Sequence, residues 1–477
     1  SIWTRPSEEQ RLEDARKSDS IQNVQAEQQK EALRLELLRN ELEKDEVVVQ
    51  EPESQKNQLK HDLGGFAESA LGEEKFVTLE NQFIRVKISS KGGHVYSAEL
   101  KEYLTWDKKP LMLFDNDDHK FNLKFYAEGK PIFTEDLYFL PQSNDGLIDA
   151  SSSARSLTMR LDAGEGRWID FVYTLEPESY ELGFDIKLNK MNEVFGRNMP
   201  YIDLDWSYPL KQQERGHKFE SQYSSIYYKY WENEVGHLGA RKESEDLTTK
   251  VEWIGFKQQF FSSVLRTDNY FTSAKIASSA LEEESGYIKL YEAAISIPIE
   301  GTSEESIPMS FYFLPNKVKS LKNIGFEFDG MIDMGWPFIS WINTIFVVNI
   351  FHFLEGVFDF KWKYGLIIII LTIFFKTILL PLSYKSFVSG AKMRVLKPQI
   401  DEINAKFTKD KAMEKQQATM ALYKKAGVNP MGGCLPMLLQ MPIWLALFRF
   451  FPASIELRQQ SFLWATDLSS YDSIVTL

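Results

Sequence analysis

The segment that most constrains this chain is an apolar run of 21 residues from Tyr364 to Tyr384. As a helix rising about 1.5 Å per residue it would be roughly 31 Å long, which matches the hydrocarbon core of a bilayer. Its central part, LIIIILTIFFKTILLPL, carries one cation, Lys376, near the middle. The sequence therefore predicts a transmembrane helix over residues 364–385 with a lysine deep in the lipid.

Residues 434–452, CLPMLLQMPIWLALFRFFP, form a second candidate span of minimal length. Gln440, Arg449 and the prolines weaken this prediction, although such groups are tolerated where neighbouring protein or water satisfies the backbone. Between the two spans, residues 386–425 carry nine Lys/Arg and four Asp/Glu. Because short loops with such a surplus remain in the cytoplasm, we expect the chain before the first span to be periplasmic or extracellular.

Within residues 386–430, apolar positions three and four apart predict two helices that form a basic cytoplasmic hairpin. Its cations can meet anionic lipid headgroups or ribosomal RNA, although a solvated face is the commoner meaning of a charge run. The candidate contact residues are Lys392, Arg394, Lys397, Lys424 and Lys425.

The part of the chain before the spans differs in charge and in pattern. From Lys361 onward there are 15 Lys/Arg and 7 Asp/Glu, which gives a net charge of +8. Because the net charge of the whole chain is −13, the first 360 residues carry a net charge of −21. Apolar and polar residues alternate there, which puts one row of side chains in a core and the other in water. The clearest runs are Ile84, Val86, Ile88; Leu157, Met159, Leu161; Ile169, Phe171, Tyr173, Leu175; and Leu182, Phe184, Ile186, Leu188. We predict a large antiparallel β-sandwich over residues 71–325.

No spaced cluster of metal ligands or nucleophiles stands out in that domain, and the only cysteine is Cys434. The sequence therefore predicts a protein that is not an enzyme and that needs no metal or cofactor. A single cysteine also excludes an intrachain disulfide.

Two further segments flank the sandwich. Residues 1–70 are highly charged and suit a linker or solvated helix after a membrane anchor outside this sequence, with a coiled coil as the alternative; Pro52 is expected to end a helix there. Residues 331–363 place Asn349, His352, Glu355 and Asp359 on one predicted helical face. We expect that helix to lie along the membrane interface. The alternative is that it spans, in which case everything downstream changes sides.

Lys376 needs a physical explanation, because a cation near the bilayer centre costs about 2.5 to 3.5 kcal/mol on insertion scales. Snorkelling is one answer, but Tyr384 lies about 12 Å along the helix, so the side chain reaches only part of the way. Thr372, Lys376 and Ser383 share one helical face, and Gln440 supplies a polar group on the second span, flanked by Met437 and Met441. We favour a hydrated cavity open to protein or lipid. Two helices cannot enclose it, so further spans must come from a partner or from residues outside this sequence.

Three motifs in order, IIIILTIFFKTILLPL, AKMRVLKPQI and ALYKKAGVNPMGGCLPMLLQMPIWLALF, resemble the YidC/Oxa/Alb family of membrane protein insertases in its bacterial form. Upstream, FIRVKISSKGGHVYSAEL and FYFLPNK resemble the start and end of that family's large periplasmic β-supersandwich domain, and the charged linker resembles Bacteroidetes members. Lys376 matches a groove position that is usually arginine, and lysine lacks the planar fork of arginine. Thr372 and Gln440 match further groove positions, whereas Arg449 departs from the usual aromatic or aliphatic residue.

The resemblance implies an inner-membrane insertase and chaperone that passes nascent membrane proteins into the bilayer, alone or with the Sec translocon. It implies nascent chains, the Sec translocon, the ribosome and membrane lipids as partners, with no small-molecule substrate, and residues 453–477 as a periplasmic loop leading to further spans. Two other readings stay open: an ion-coupled transporter subunit, and a membrane-anchored periplasmic binding or scaffold protein.

Overall fold

The structure is a computed structural model that describes residues 52–115, 118–195, 199–407, 411–427 and 435–471, with the backbone alone described for 52–56 and 435–439. The chain divides into two units between residues 62 and 63. Almost all of the described residues belong to the second unit.

Among the described residues, twenty strands build the β-domain. They are β1 Phe76–Glu80, β2 Ile84–Ser89, β3 Val95–Leu104, β4 Pro110–Asp115, β5 Lys120–Ala127, β6 Lys130–Phe133, β7 Leu140–Pro141, β8 Leu147–Asp149, β9 Arg155–Asp162, β10 Trp168–Leu175, β11 Glu181–Asn189, β12 Tyr201–Lys211, β13 Ser225–Tyr230, β14 Val235–His237, β15 Ser244–Leu247, β16 Val251–Lys257, β17 Phe261–Phe271, β18 Ser273–Ala280, β19 Tyr287–Pro298 and β20 Glu304–Pro315.

The strands form three sheets. The orders are β4-β3-β2-β1-β8, β14-β13-β16-β17-β20-β11-β10-β9-β7 and β15-β18-β19-β12-β5-β6. Neighbouring strands pair antiparallel, apart from β1 with β8, which are parallel. The predicted antiparallel β-sandwich is therefore confirmed, with one parallel pair at an edge.

The period-two alternation accounts for the sheet faces. In β10, Ile169, Phe171, Tyr173 and Leu175 are all fully buried, and so are the corresponding residues of β9. Their partners across the ladder include Phe171 with Ile186 of β11. Because a shift of one residue would turn every apolar side chain outward, this pattern specifies the register.

Nine α-helices are defined among the described residues. They are α1 Pro52–Leu63, α2 His217–Gln222, α3 Val318–Ile324, α4 Pro337–Ile342, α5 Val348–Val357, α6 Lys363–Val395, α7 Lys397–Lys406, α8 Ala412–Lys425 and α9 Leu435–Ala453. A π-helical segment, Asn343–Val347, joins α4 to α5, and short 3-10 turns cover Gly64–Phe66, Thr134–Asp136, Met191–Glu193, Glu283–Ser285, Phe328–Met331 and Ile455–Leu457.

Pro52, which was expected to end a helix in the residues before it, is itself the first residue of α1, and the preceding residues lie outside the described part of the chain. Proline is tolerated there because the first backbone N–H groups of a helix have no partner within it. Residues 1–51 of the predicted linker lie outside the described residues.

The polar face predicted over residues 331–363 is only partly correct. The helix ends at Val357, so Asp359 does not lie on it. The Glu355 carboxylate bonds to the His352 ring at 3.0 Å and accepts from the Tyr364 hydroxyl at 2.7 Å. By length and composition, residues Pro337–Val357 and Lys363–Val395 are both able to cross a membrane. The interfacial placement of the first segment stays a prediction.

The membrane helix α6 is longer than the predicted span of residues 364–385. It has 33 residues, about 50 Å by helical rise, and includes Pro381. Lys392 and Arg394 therefore lie in its last turn rather than in the hairpin. The hairpin consists of α7 and α8, which contact each other.

Candidate functional site

The polar face of α6 is divided between two environments. The Thr372 hydroxyl donates to the Ile368 carbonyl oxygen of its own helix at 2.8 Å, which is the usual way for a helical threonine to satisfy its hydroxyl inside a membrane. Eleven residues later on the same face, Ser383 accepts from the Gln440 side-chain amide of α9 at 2.8 Å. Two of the predicted groove residues, Ser383 and Gln440, are thus brought together.

An apolar layer joins α6 and α9 closer to the β-domain. Leu371 and Phe375 of α6 pack with Leu447 and Phe450 of α9, and Phe351 of α5 completes the cluster. Since the later part of α6 meets the earlier part of α9 at Ser383 and Gln440, the two helices run antiparallel. They therefore contact each other at two levels, one apolar and one polar.

Lys376 lies between these two levels. It follows the buried Phe375, yet its own side chain is exposed. Among the described residues, no hydrogen bond or ion pair to its ammonium is present. An exposed cation at this depth faces lipid unless water or another polypeptide covers it. The predicted cavity is therefore not closed by α6 and α9.

Of the two methionines predicted beside Gln440, the structure describes the side chain of Met441 but not that of Met437. Met441 is 53% exposed, so its thioether is available to an apolar partner. Met437 lies in the first turns of α9, where its side chain is outside the described part of the chain.

The side chains of the predicted basic contact residues are all exposed. Lys392, Arg394 and Lys397 are exposed around the junction of α6 and α7, and Lys424 and Lys425 are exposed in the last turn of α8. Lys392, Arg394 and Lys397 lie where the first hairpin helix begins, and Lys424 and Lys425 lie where the second one ends.

The sequence did not reveal a joint between the chain after α9 and the β-domain. We call residues 454–471 the return segment. Arg458 donates to the Glu214 carboxylate at 2.6 Å and to the Leu104 carbonyl oxygen, with side chains of Arg458 and Glu214 only 4% and 8% exposed. Gln459 bonds to the same carbonyl at 2.9 Å and accepts from Lys108 at 2.7 Å. The signal that could have found it is Arg458 itself, a cation directly after an apolar span.

Burial controls the pKa of Glu214, the acid at this joint. It raises the pKa of Glu214 to about 7, although Arg458 pulls it down. Nearby, the fully buried Glu220 accepts from the backbone N–H of Glu214 at 3.0 Å, and its own pKa is also raised by burial. The joint is a buried charge network of the kind that loses much stability when one partner is removed.

Arg449, which departed from the expected residue type, also has a partner. Its guanidinium bonds to the Asp333 carboxylate at 2.9 Å. This pair links the last turns of α9 to the chain just before α4, and both side chains remain about half exposed.

Comparisons with known proteins agree with this division of the chain. The family model described as YidC periplasmic domain matches residues 76–348, and the model described as 60Kd inner membrane protein matches residues 354–477. The first match covers the β-domain and the second covers the helical region. These matches define a class: inner-membrane proteins that carry a helical membrane region and a large periplasmic β-sandwich.

Full-length relatives extend this result. The membrane protein insertase YidC of Parabacteroides distasonis is 40% identical over 486 residues, covering 99% of this chain and 75% of that protein. The protein of the same name from Phocaeicola vulgatus is 42% identical, covering 100% and 74%. The chain belongs to the YidC family of membrane protein insertases, and it is therefore an insertase rather than an enzyme. A solved structure described as an active YidC insertase with its first transmembrane domain resolved is 18% identical, with a TM-score of 0.28, and covers 83% of this chain and 76% of that one.

Proposed function

We propose that α6 and α9 form two walls of a hydrated groove that takes up the polar flank of a nascent membrane protein while its apolar part enters the lipid. The observation that carries the proposal is the Ser383–Gln440 hydrogen bond on the same helical face as the exposed Lys376. Polar groups at two depths of one face give water and a client chain a path into the membrane.

The charge of Lys376 fits this role. A client carboxylate that crosses the bilayer loses its hydration, which is costly unless a counter-charge or water replaces it. An ammonium without a partner among the described residues offers that counter-charge. Thr372, Ser383 and Gln440 would extend the polar path, and Met441, with Met437, would receive varied apolar side chains.

The wider topology belongs to the same proposal. We infer that α6 and α9 both span the membrane, so the chain is multi-pass, and that the α7–α8 hairpin is cytoplasmic. The exposed cations Lys392, Arg394 and Lys397, with Lys424 and Lys425, then suit contacts with anionic lipid or with ribosomal RNA. Nascent membrane proteins are the clients, and the Sec translocon and the ribosome are the proposed partners.

The test is Lys376→Leu, assayed by insertion of a client with an acidic N-terminal tail that must be translocated. We expect a severalfold loss of insertion, because the tail then loses its counter-charge, and a smaller loss for a client whose tail is uncharged. Lys376→Arg keeps the charge and should restore insertion.

Lys385→Leu is the matched control, since it removes a cation from the opposite side of the same helix. Equal insertion by Lys376→Leu and the natural chain for both clients would remove Lys376 from the mechanism. A loss caused equally by Lys385→Leu would mean that any charge on α6 matters.

A further inference from the structure

A large cavity lies where the β-domain meets the end of the membrane helices. It measures about 1380 Å³, and its walls include Lys257 of β16, Lys289 of β19, Asp333, and Arg449 of α9. None of these residues takes part in the groove described above.

The inner wall of this cavity holds two lysines without a carboxylate partner. Lys257 is 6% exposed, and its ammonium donates to the Tyr223 carbonyl oxygen at 2.7 Å. Lys289 donates to the next carbonyl along the chain, that of Ser224, also at 2.7 Å. Within the described ranges, no acid lies within ion-pair distance of either lysine.

Each lysine keeps two N–H donors for another acceptor, because an ammonium has three. Burial lowers the pKa of Lys257 to about 8, with Lys289 adding repulsion and Asp333 opposing it, and burial also lowers the pKa of Lys289. An anion in the cavity would therefore relieve an existing electrostatic cost.

The balance of charge at the inner wall is positive. Arg449 and Asp333 form a pair, which leaves Lys257 and Lys289 as an excess of two positive charges. The exposed rim carries both signs and adds little net charge: its cations are Lys218, Arg241 and Lys242, and its acids are Glu243, Glu282, Glu283 and Glu284.

The position of the cavity indicates which anion can reach it. Arg449 and Ala453 belong to the end of α9, where this apolar helix leaves the hydrocarbon, and Asp333 precedes Trp336, which is 77% exposed. Exposed tryptophans are typical of the membrane interface, at the depth of the lipid headgroups. A phosphate carried by a lipid is thus available in high local concentration at this wall.

We propose that this cavity binds the phosphate group of an anionic phospholipid from the periplasmic leaflet, held by Lys257, Lys289 and Arg449. Charge-assisted hydrogen bonds from three cations to one phosphate would hold the headgroup. A bound lipid at this point would fix the β-domain against the membrane surface. The inference rests on the family's membrane placement and not on the groove.

The experiment uses the full chain purified in detergent and counts bound lipid by native mass spectrometry. Dioleoyl phosphatidylglycerol is the probe, dioleoyl phosphatidylcholine is the zwitterionic comparison, and inorganic phosphate is the soluble one. We expect phosphatidylglycerol to bind better than phosphatidylcholine. The double variant Lys257→Met with Lys289→Met should weaken phosphatidylglycerol binding about tenfold or more, since two cations that attract the phosphate are removed. Lys218→Met with Lys242→Met, at the rim, is the matched control and should leave binding unchanged.

Lys257 and Lys289 also donate hydrogen bonds to backbone carbonyl oxygens, so replacing them removes contacts of the fold itself. A second pair of variants therefore leaves both lysines in place. Asp333→Asn removes the opposing charge while its side-chain oxygen can still accept from the Gly335 N–H, so it should tighten binding. Arg449→Gln should weaken it. The proposal is overturned if phosphatidylcholine binds equally well, if the rim pair loses as much binding as the inner pair, or if Asp333→Asn has no effect. If inorganic phosphate protects Lys257 from chemical acetylation as effectively as phosphatidylglycerol does, the site belongs to a soluble anion instead.

Discussion

Replacing Arg458 by methionine removes the cation from an ion pair whose side chains are 4% and 8% exposed. The change also removes a hydrogen bond to the Leu104 carbonyl oxygen and a cation–π contact with Phe261, whose ring centre is 5.0 Å away. At pH 8, where Glu214 is ionised beside Arg458, removal of one partner from such a buried pair costs about 3 to 5 kcal/mol, because the remaining carboxyl either stays charged without compensation or takes up a proton. We expect this loss to appear as local opening of the return segment.

Amide hydrogen exchange measures that opening directly. The Arg458 N–H donates to the Ile455 carbonyl oxygen at 3.0 Å and the Gln460 N–H to that of Leu457 at 3.2 Å. If these bonds open with the joint, a cost of about 3 to 5 kcal/mol speeds their exchange by about a hundredfold to a few thousandfold. Lys108→Met is the matched control, because it deletes an exposed cation that contacts the same segment and should change exchange by less than about tenfold.

The effect depends on pH in a defined direction. Burial raises the pKa of Glu214 from its ordinary value near 4.5 to about 7. Between these two pH values the carboxyl is protonated in the folded protein but ionised in the unfolded chain. Its contribution to stability therefore falls as pH rises from 4.5 through 7. Without Arg458 the pKa of Glu214 rises further, so the destabilisation should be larger at pH 8 than at pH 5. Unchanged exchange in the return segment at both pH values would refute the reasoning that the pair holds the joint together.

Two further predictions follow from the β-domain. Burial lowers the pKa of His119 well below its usual 6.5, so the folded protein binds fewer protons than the unfolded chain and loses stability as pH falls below about 6.5. His119→Phe removes this group, so between pH 6.5 and pH 5 the variant should lose about 2 kcal/mol less stability than the natural chain. The prediction is wrong if thermal unfolding shows the same pH dependence for both proteins. Deletion of residues 76–315 should largely retain insertion of clients by the full helical region, whereas an anchored binding or scaffold protein would lose its function altogether.

The architecture of the β-domain was predictable because it depends on a local pattern. Ile169, Phe171, Tyr173 and Leu175 alternate with polar residues, and each is fully buried. The order of twenty strands in three sheets was not predictable in this way, since every strand has the same period and the pairings join distant parts of the chain. Glu181 of β11, for example, pairs with Tyr312 of β20.

The helix boundaries were less predictable for a related reason. The change from apolar to basic residues near Tyr384 marks where the lipid is expected to end, whereas the helix continues to Val395 because no residue there prevents it. Arg458 and Glu214 lie 244 residues apart, so no local pattern pairs them. Arg449 was noticed as unusual, but only the fold supplies Asp333 beside it.

The separation of the two contact levels is the physical reason to expect that the helical region keeps its own packing when the β-domain is deleted. The apolar layer that joins α5, α6 and α9 includes Phe351, Leu371 and Leu447 but no residue of any described strand. Gln440 lies 12 residues before Pro452, whose carbonyl oxygen accepts from Gln259 of the β-domain, and this is about 18 Å of helix. The β-domain therefore fixes the periplasmic end of α9, while the packing of the helices among themselves holds Gln440 against Ser383.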